Sequence, residues 1–151
     1  MPEGILNDLH EDHEEVSGLI EQMIKTEDGK ERGAIFKEMM SKLLAHSHAE
    51  QNVLYKKMEK SETEKSRSFA FEGENEHQIV EQQLQQMARA RNKASEQWTA
   101  QASVLKDLIE HHVEEEESTG FSCARSEFDS AALEKMADQF RKQKEKLLQE
   151  A

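Results

Sequence analysis

The sequence predicts an all-α protein: an antiparallel up-down-up-down four-helix bundle with an additional C-terminal helix. Three observations carry this. Apolar residues recur every three to four positions, and no segment alternates like a strand for long enough to compete. The single proline, Pro2, stands at the terminus, so nothing after it interrupts a helix, and six glycines are sparse enough to act as punctuation. The breaks between periodic segments are short, which makes successive helices antiparallel neighbours.

A first helix is expected over about residues 4–26, stopped by Gly29 in Glu27-Asp28-Gly29. The second runs over about 31–60, and Ser61 with Glu64 forms a capping box for the third, about 64–92. Ser95 caps the fourth, about 96–118, and Ser118-Thr119-Gly120 ends it. A shorter fifth helix, about 130–149, carries Leu133, Met136, Phe140 and Leu147 near one face, for packing on the bundle or for a homodimer. Glu21 with Lys25 and Glu38 with Lys42 support exposed faces by a few tenths of a kcal/mol each. Residues 1–122 read as the bundle and 123–151 as a C-terminal extension.

The chain has 151 residues, one domain's worth, with 32 acidic and 20 basic side chains and a formal charge of −12. That charge repels phosphate backbones and anionic lipid, and the longest basic cluster, Arg141 to Lys146, is interrupted by Gln143 and Glu145. No nucleic-acid or membrane partner is expected. Hydrophobic residues make up 35% and aromatics 5%, close to disordered composition, but their periodicity argues for a fold. No run approaches the roughly 20 apolar residues of a membrane span, and Met1-Pro2-Glu3-Gly4 lacks a basic-then-apolar leader pattern. The lone Cys123 excludes an intramolecular disulfide, and the chain reads as cytoplasmic. Arg125 lies close in sequence, but a lone cysteine of this kind reads as inert rather than reactive.

Written out as core stripes, the four helices each contain a histidine. They read Leu6, Leu9, His13, Val16, Ile20, Met23; Phe36, Met39, Leu43, His46, Glu50, Val53; Ala70, Gly73, His77, Val80, Leu84, Met87; and Trp98, Ala102, Leu105, Ile109, His112, Glu116. Two histidines have a glutamate one turn later, on the same face. Counted from the turns at about 1.5 Å per residue, all six polar groups fall at one height. His13 lies about 13 residues before the first turn, and His46 and Glu50 about 15 and 19 after it. Buried carboxylates and imidazoles cost several kcal/mol each unless something compensates them, and a divalent metal pair does so. The donor set suits iron, manganese or zinc, with two ions bridged by Glu50 and Glu116.

Other assignments compete. A ferritin-like site needs Glu-x-x-His on two helices, and only Glu74-x-x-His77 is present. His10-Glu11-Asp12-His13 is one residue short of the zinc-protease motif. Val104, Leu108, His111 and Glu115 form a second stripe on the fourth helix, although the one continuing from Trp98 and Ala102 is preferred. His10 and His48 read as surface or outer-sphere groups.

Asp12-His13, Leu43 to Tyr55 with His46-x-x-x-Glu50, Glu76-His77 and His111-His112-Val113-Glu114-Glu115-Glu116 resemble the hemerythrin-like, or HHE, cation-binding domain over about residues 4–122. The resemblance implies a non-haem di-iron centre with His13, His46, Glu50, His77, His112 and Glu116 as ligands. The glutamates would bridge two irons that leave a position for dioxygen or a related small ligand. The chain departs from the oxygen carriers of that family in two places. Gly73 stands where they have a second histidine, which leaves a position open or invites Glu74, His10 or Tyr55 to fill it. Their spacing on the last helix would select Glu117 rather than Glu116.

The expected function is therefore a di-iron protein that binds dioxygen, nitric oxide or peroxide as carrier, scavenger or sensor. The alternative is a di-iron enzyme that consumes peroxide or oxidises ferrous iron, with manganese or zinc as other candidate metals. A third possibility is a purely structural bundle whose histidines are incidental.

Overall fold

In the computed structural model, which describes residues 3–150, a layer of polar side chains cuts the core of a helical bundle in two. Met1 and Pro2, on which part of the terminal reading falls, lie outside the described residues, as does Ala151. The elements are α1 Ile5–Lys25, α2 Gly29–Glu50, a π-helical turn Gln51–Tyr55, α3 Lys56–Met58, α4 Glu64–Arg89, α5 Glu96–Glu115, a second π turn Glu116–Gly120, α6 Phe121–Glu127 and α7 Ser130–Glu150. The four long helices α1, α2, α4 and α5 form the bundle. Both α1 and α4 pack on α2 and on α5, and α7 lies across α1 and α2.

One apolar cluster joins Ile5, Leu6 and Leu9 to Val53, Phe69, Phe121 and Phe140, and the other joins Val16 and Ile20 to Leu43, Val80, Trp98 and Ile109. α1, α2 and α4 therefore each cross from one cluster to the other at their histidine, and the fourth helix does so where α5 runs on through the π turn into α6. The apolar face of α7, with Leu133, Met136, Ala137 and Phe140, is buried within the chain. Gly4 admits this packing: its φ is +55°, and a Cβ there would lie 2.5 Å from the Leu133 carbonyl carbon.

Helix ends differ from the expected chemistry in three places. Gly29 begins α2 rather than stopping α1, because Asp28 accepts the Glu31 amide as N-cap. Ser61 does not cap α4; its hydroxyl accepts the Thr63 amide at 3.1 Å, and Thr63 is the N-cap residue. Ser118-Thr119-Gly120 does not end the fourth helix, which passes through the π turn into α6. Gly120 serves close packing there, since a Cβ would collide with the Phe69 ring. Ser95 does cap α5, accepting the Trp98 amide. On the exposed faces Glu38 and Lys42 approach to 3.5 Å, whereas Glu21 and Lys25 are not among the ion pairs of the described residues.

One buried cation absent from the sequence reading locks the bundle end remote from the polar layer. Arg32 donates to the carbonyls of Met23 and Ile24 at the end of α1, to the Lys93 carbonyl in the α4–α5 connection and to the Thr99 hydroxyl on α5. Its guanidinium also lies 5.5 Å from the centre of the Trp98 ring.

Candidate metal centre

The polar layer holds all six residues of the stripe analysis. His13, His46 and Glu116 form one buried group, and Glu50, His77 and His112 another; within each, the nearest ligand atoms lie within 4.8 Å of one another. Glu116 reaches into both groups, with Oε1 3.0 Å from His13 Nε2 and Oε2 3.7 Å from His112 Nε2. Glu50 Oε1 likewise stands 3.6 Å from His46 Nε2 and 3.3 Å from His77 Nε2. Both carboxylates are 0% exposed. The competing stripe turns outward, with Val104 half exposed and His111 and Glu115 at the surface.

Each imidazole is fixed from outside the cluster. His13 Nδ1 meets Glu117 at 2.7 Å, His46 Nδ1 meets Asp12 at 2.8 Å, His77 Nδ1 meets the Gln51 side-chain oxygen Oε1 at 2.7 Å and His112 Nδ1 meets Glu76 at 2.7 Å. These partners are acceptors, so Nδ1 donates and Nε2 of each ring faces inward, where its lone pair is the donor once the ring is neutral. His77 Nε2 and His112 Nε2 then face each other at 3.0 Å. His13 Nε2, both Glu50 oxygens and Glu116 Oε1 have no hydrogen-bond partner although buried. Unpaired acceptors converging in an apolar core are the environment a divalent cation neutralises, so the residues present fit a metal pair.

Without metal, protons take up part of this strain. Burial and the Glu116 carboxylate push Glu50 well above the usual range. Burial opposes ionisation of Glu116 as well, but the close approach of His13 and Glu50 and the nearby imidazoles hold it well below that range. Burial also disfavours charge on His13, yet Glu116 and Glu117 outweigh it and raise the ring to about 9. Burial and the facing His112 push His77 well down.

Tyr55 and four outer partners are further constituents of the site. The Tyr55 hydroxyl donates to Glu116 Oε2 and lies 3.4 Å from His112 Nε2, and its ring stacks on His77 with centroids 5.3 Å apart. Asp12, Gln51, Glu76 and Glu117 lie off the apolar stripes, so periodicity gave them no weight; adjacency of Asp12, Glu76 and Glu117 to stripe positions was the available signal. The π turns bear on this arrangement. The first follows Glu50 directly and carries Gln51 and Tyr55, and the second begins at Glu116, so that Glu116 faces the cluster while Glu117 binds His13 and His10. His10 thus stands behind Glu117 at 2.9 Å, His48 is half-exposed beside Glu81, and Glu74 faces Glu59, which raises it to about 7.

A cavity of about 170 Å³ between α1 and α5 leads to His13 past Ser17, Ile20, Ile109 and Val113. A narrower space shares His13, Ile109 and Val113 and continues to His46, His77 and His112. No helix among the described residues is long and apolar enough to cross a membrane.

The chain matches the family model of the hemerythrin HHE cation-binding domain over residues 4–124. Among curated proteins it is 28% identical over 142 residues to a DNA nickase of Nostoc sp. (strain PCC 7120). That match covers 91% of this chain and 38% of the relative, so the chain spans well under half of that protein's length. No solved structure matches.

Proposed function

The chain belongs to the hemerythrin HHE cation-binding domain family, and from that membership and the donor geometry we propose that it binds two non-haem iron ions and, through them, dioxygen, nitric oxide or peroxide. His13, His46 and Glu116 would hold one ion, and Glu50, His77 and His112 the other, with the carboxylates shared. The observation that carries this reading is the convergence of six buried donors from the four bundle helices, among which His13 Nε2, both Glu50 oxygens and Glu116 Oε1 lack a hydrogen-bond partner. Mixed imidazole and carboxylate donors suit iron, with manganese or zinc as substitutes. When bound, the metal pair supplies electrons and an exchangeable position for a small ligand.

The protein's own residues set the conditions. Asp12, Gln51, Glu76 and Glu117 orient the imidazoles, the apolar clusters exclude water, and the passage beside Ile109 and Val113 admits molecules of a few atoms. A second reading, an enzyme that consumes peroxide or oxidises ferrous iron, is favoured by Tyr55. Its buried hydroxyl is an O–H donor within the cluster, a feature suited to proton delivery rather than to reversible storage.

DNA nicking is named for the Nostoc relative, most of whose length has no counterpart here. We assign this chain no nucleic-acid role. The candidate ligands are buried too deeply for a duplex phosphate, and the outer partners Asp12, Glu76 and Glu117 add negative charge around them.

The deciding measurement is the ultraviolet-visible spectrum of anaerobically iron-loaded, reduced protein, before admitting oxygen, after it, and after its removal. A band that appears and reverses supports binding, and irreversible oxidation with peroxide consumption supports the enzyme. No iron-dependent band overturns both.

A further inference from the structure

The family match ends at residue 124, yet α7, which lies beyond it, reaches the donor cluster through its side chains. Lys144 Nζ donates to Asp12 Oδ1 at 2.8 Å and to Oδ2 at 3.0 Å, and the same Oδ2 accepts from His46 Nδ1 at 2.8 Å. One turn earlier, Phe140 sets its ring against His46, with centroids 5.7 Å apart and planes at 85°. Arg141 holds Asp8, one turn before Asp12 on α1, at 2.6 and 3.0 Å.

We propose that Lys144 is a positioning residue for the metal centre: it holds and neutralises Asp12, and through Asp12 sets the orientation and donor strength of His46. The inference rests on reading the six buried donors as metal ligands. A carboxylate that accepts an imidazole N–H pulls the proton toward itself, which makes the ring a stronger donor and favours the more highly charged metal. An ammonium on that carboxylate draws the charge away again and weakens the effect. Among the described ion pairs, Glu76 and Glu117 meet only histidines, so His46 is the donor whose outer partner is tied to a lysine. The Lys144 side chain is 27% exposed, so the link runs from the surface of the extension to the metal layer.

The test uses full-length protein loaded anaerobically with ferrous iron, comparing Lys144→Met, Lys144→Arg and Asp12→Asn for iron content, melting temperature and ferric/ferrous midpoint potential. Lys144→Met should keep its iron and shift the potential to more negative values, and Lys144→Arg should return it toward wild type. Asp12→Asn should shift it the opposite way and weaken iron binding about 10–100-fold. A role limited to packing would move both potentials in one direction or neither. An unchanged potential in iron-loaded Lys144→Met overturns the proposal. Wild-type protein that takes up no iron overturns the reading of the donors, and this inference with it.

Discussion

The Tyr55 ring fills the space that a side chain at position 73 would need: a Cβ on Gly73 would stand 2.7 Å from Tyr55 Cε2 and 2.9 Å from Cζ. The glycine and the tyrosine are therefore one feature. Where the oxygen-carrying relatives were expected to place a second histidine on this helix, the chain instead leaves room for a phenol that enters from the first π turn and binds Glu116.

Gly73→Ala should consequently destabilise the metal-free protein by about 1–3 kcal/mol, because the core has no slack for a methyl group against the ring. Tyr55→Leu in the same chain should recover part of that loss. Urea denaturation of the two single variants and the double variant gives the coupling, and additive effects would contradict the shared space.

Tyr55→Phe keeps the ring and removes only the donor to Glu116. The metal-free variant should lose about 1–3 kcal/mol, the cost of leaving a buried acceptor unpaired. Iron uptake should persist, since the six candidate ligands remain, while any peroxide consumption should fall. Colorimetric iron content and peroxide loss measured on one preparation separate these effects.

Ligand and outer-partner substitutions should sort by place in the cluster. His77→Ala should reduce bound iron, Glu117→Gln should weaken binding about 10–100-fold through His13, and His48→Ala should leave iron content unchanged. Equal iron in His77→Ala and wild type would remove that ring from the centre.

The pH dependence of the metal-free protein follows from His13, raised from 6.5 to about 9. A group that binds its proton more tightly when folded stabilises the fold fully below its unfolded pKa, and that stabilisation is lost as pH rises through the folded value. Glu50, also raised, acts in the same sense. His46 and His77 are lowered by burial and act in the opposite sense, but only below 6.5. Melting temperature should therefore fall as pH goes from 6.5 to 9. Metal loading near neutral pH should release protons, measurable in weakly buffered dye solution.

Arg32→Leu should cost about 2–4 kcal/mol, since four acceptors, one buried and three part-buried, lose a charged donor. Position 32 lies fourteen residues before His46 on α2, roughly 21 Å along the axis, so iron affinity per folded molecule should not change. Thermal melts and iron titration together check this.

The helices and the inward set are legible in the residue pattern alone. A three-to-four residue period is a local property that turns His13, His46, His77 and His112 inward, and the residue count from each short turn brings them to one height. The pattern was also enough to favour the His112 stripe over that of His111, because only the former continues from Trp98 and Ala102. Whatever depends on a partner from another helix is fixed by packing and has no local signal. Asp12, Gln51, Glu76 and Glu117 are ordinary polar residues until a histidine of another helix faces them, and Lys144 is one surface lysine among many until α7 crosses α1. The two π turns had no signal in propensity, since a one-residue widening of a helix is fixed by what its side chains meet. Gly120 shows the same limit: read alone it is a helix stop, and only the Phe69 ring against it reveals why a glycine stands there.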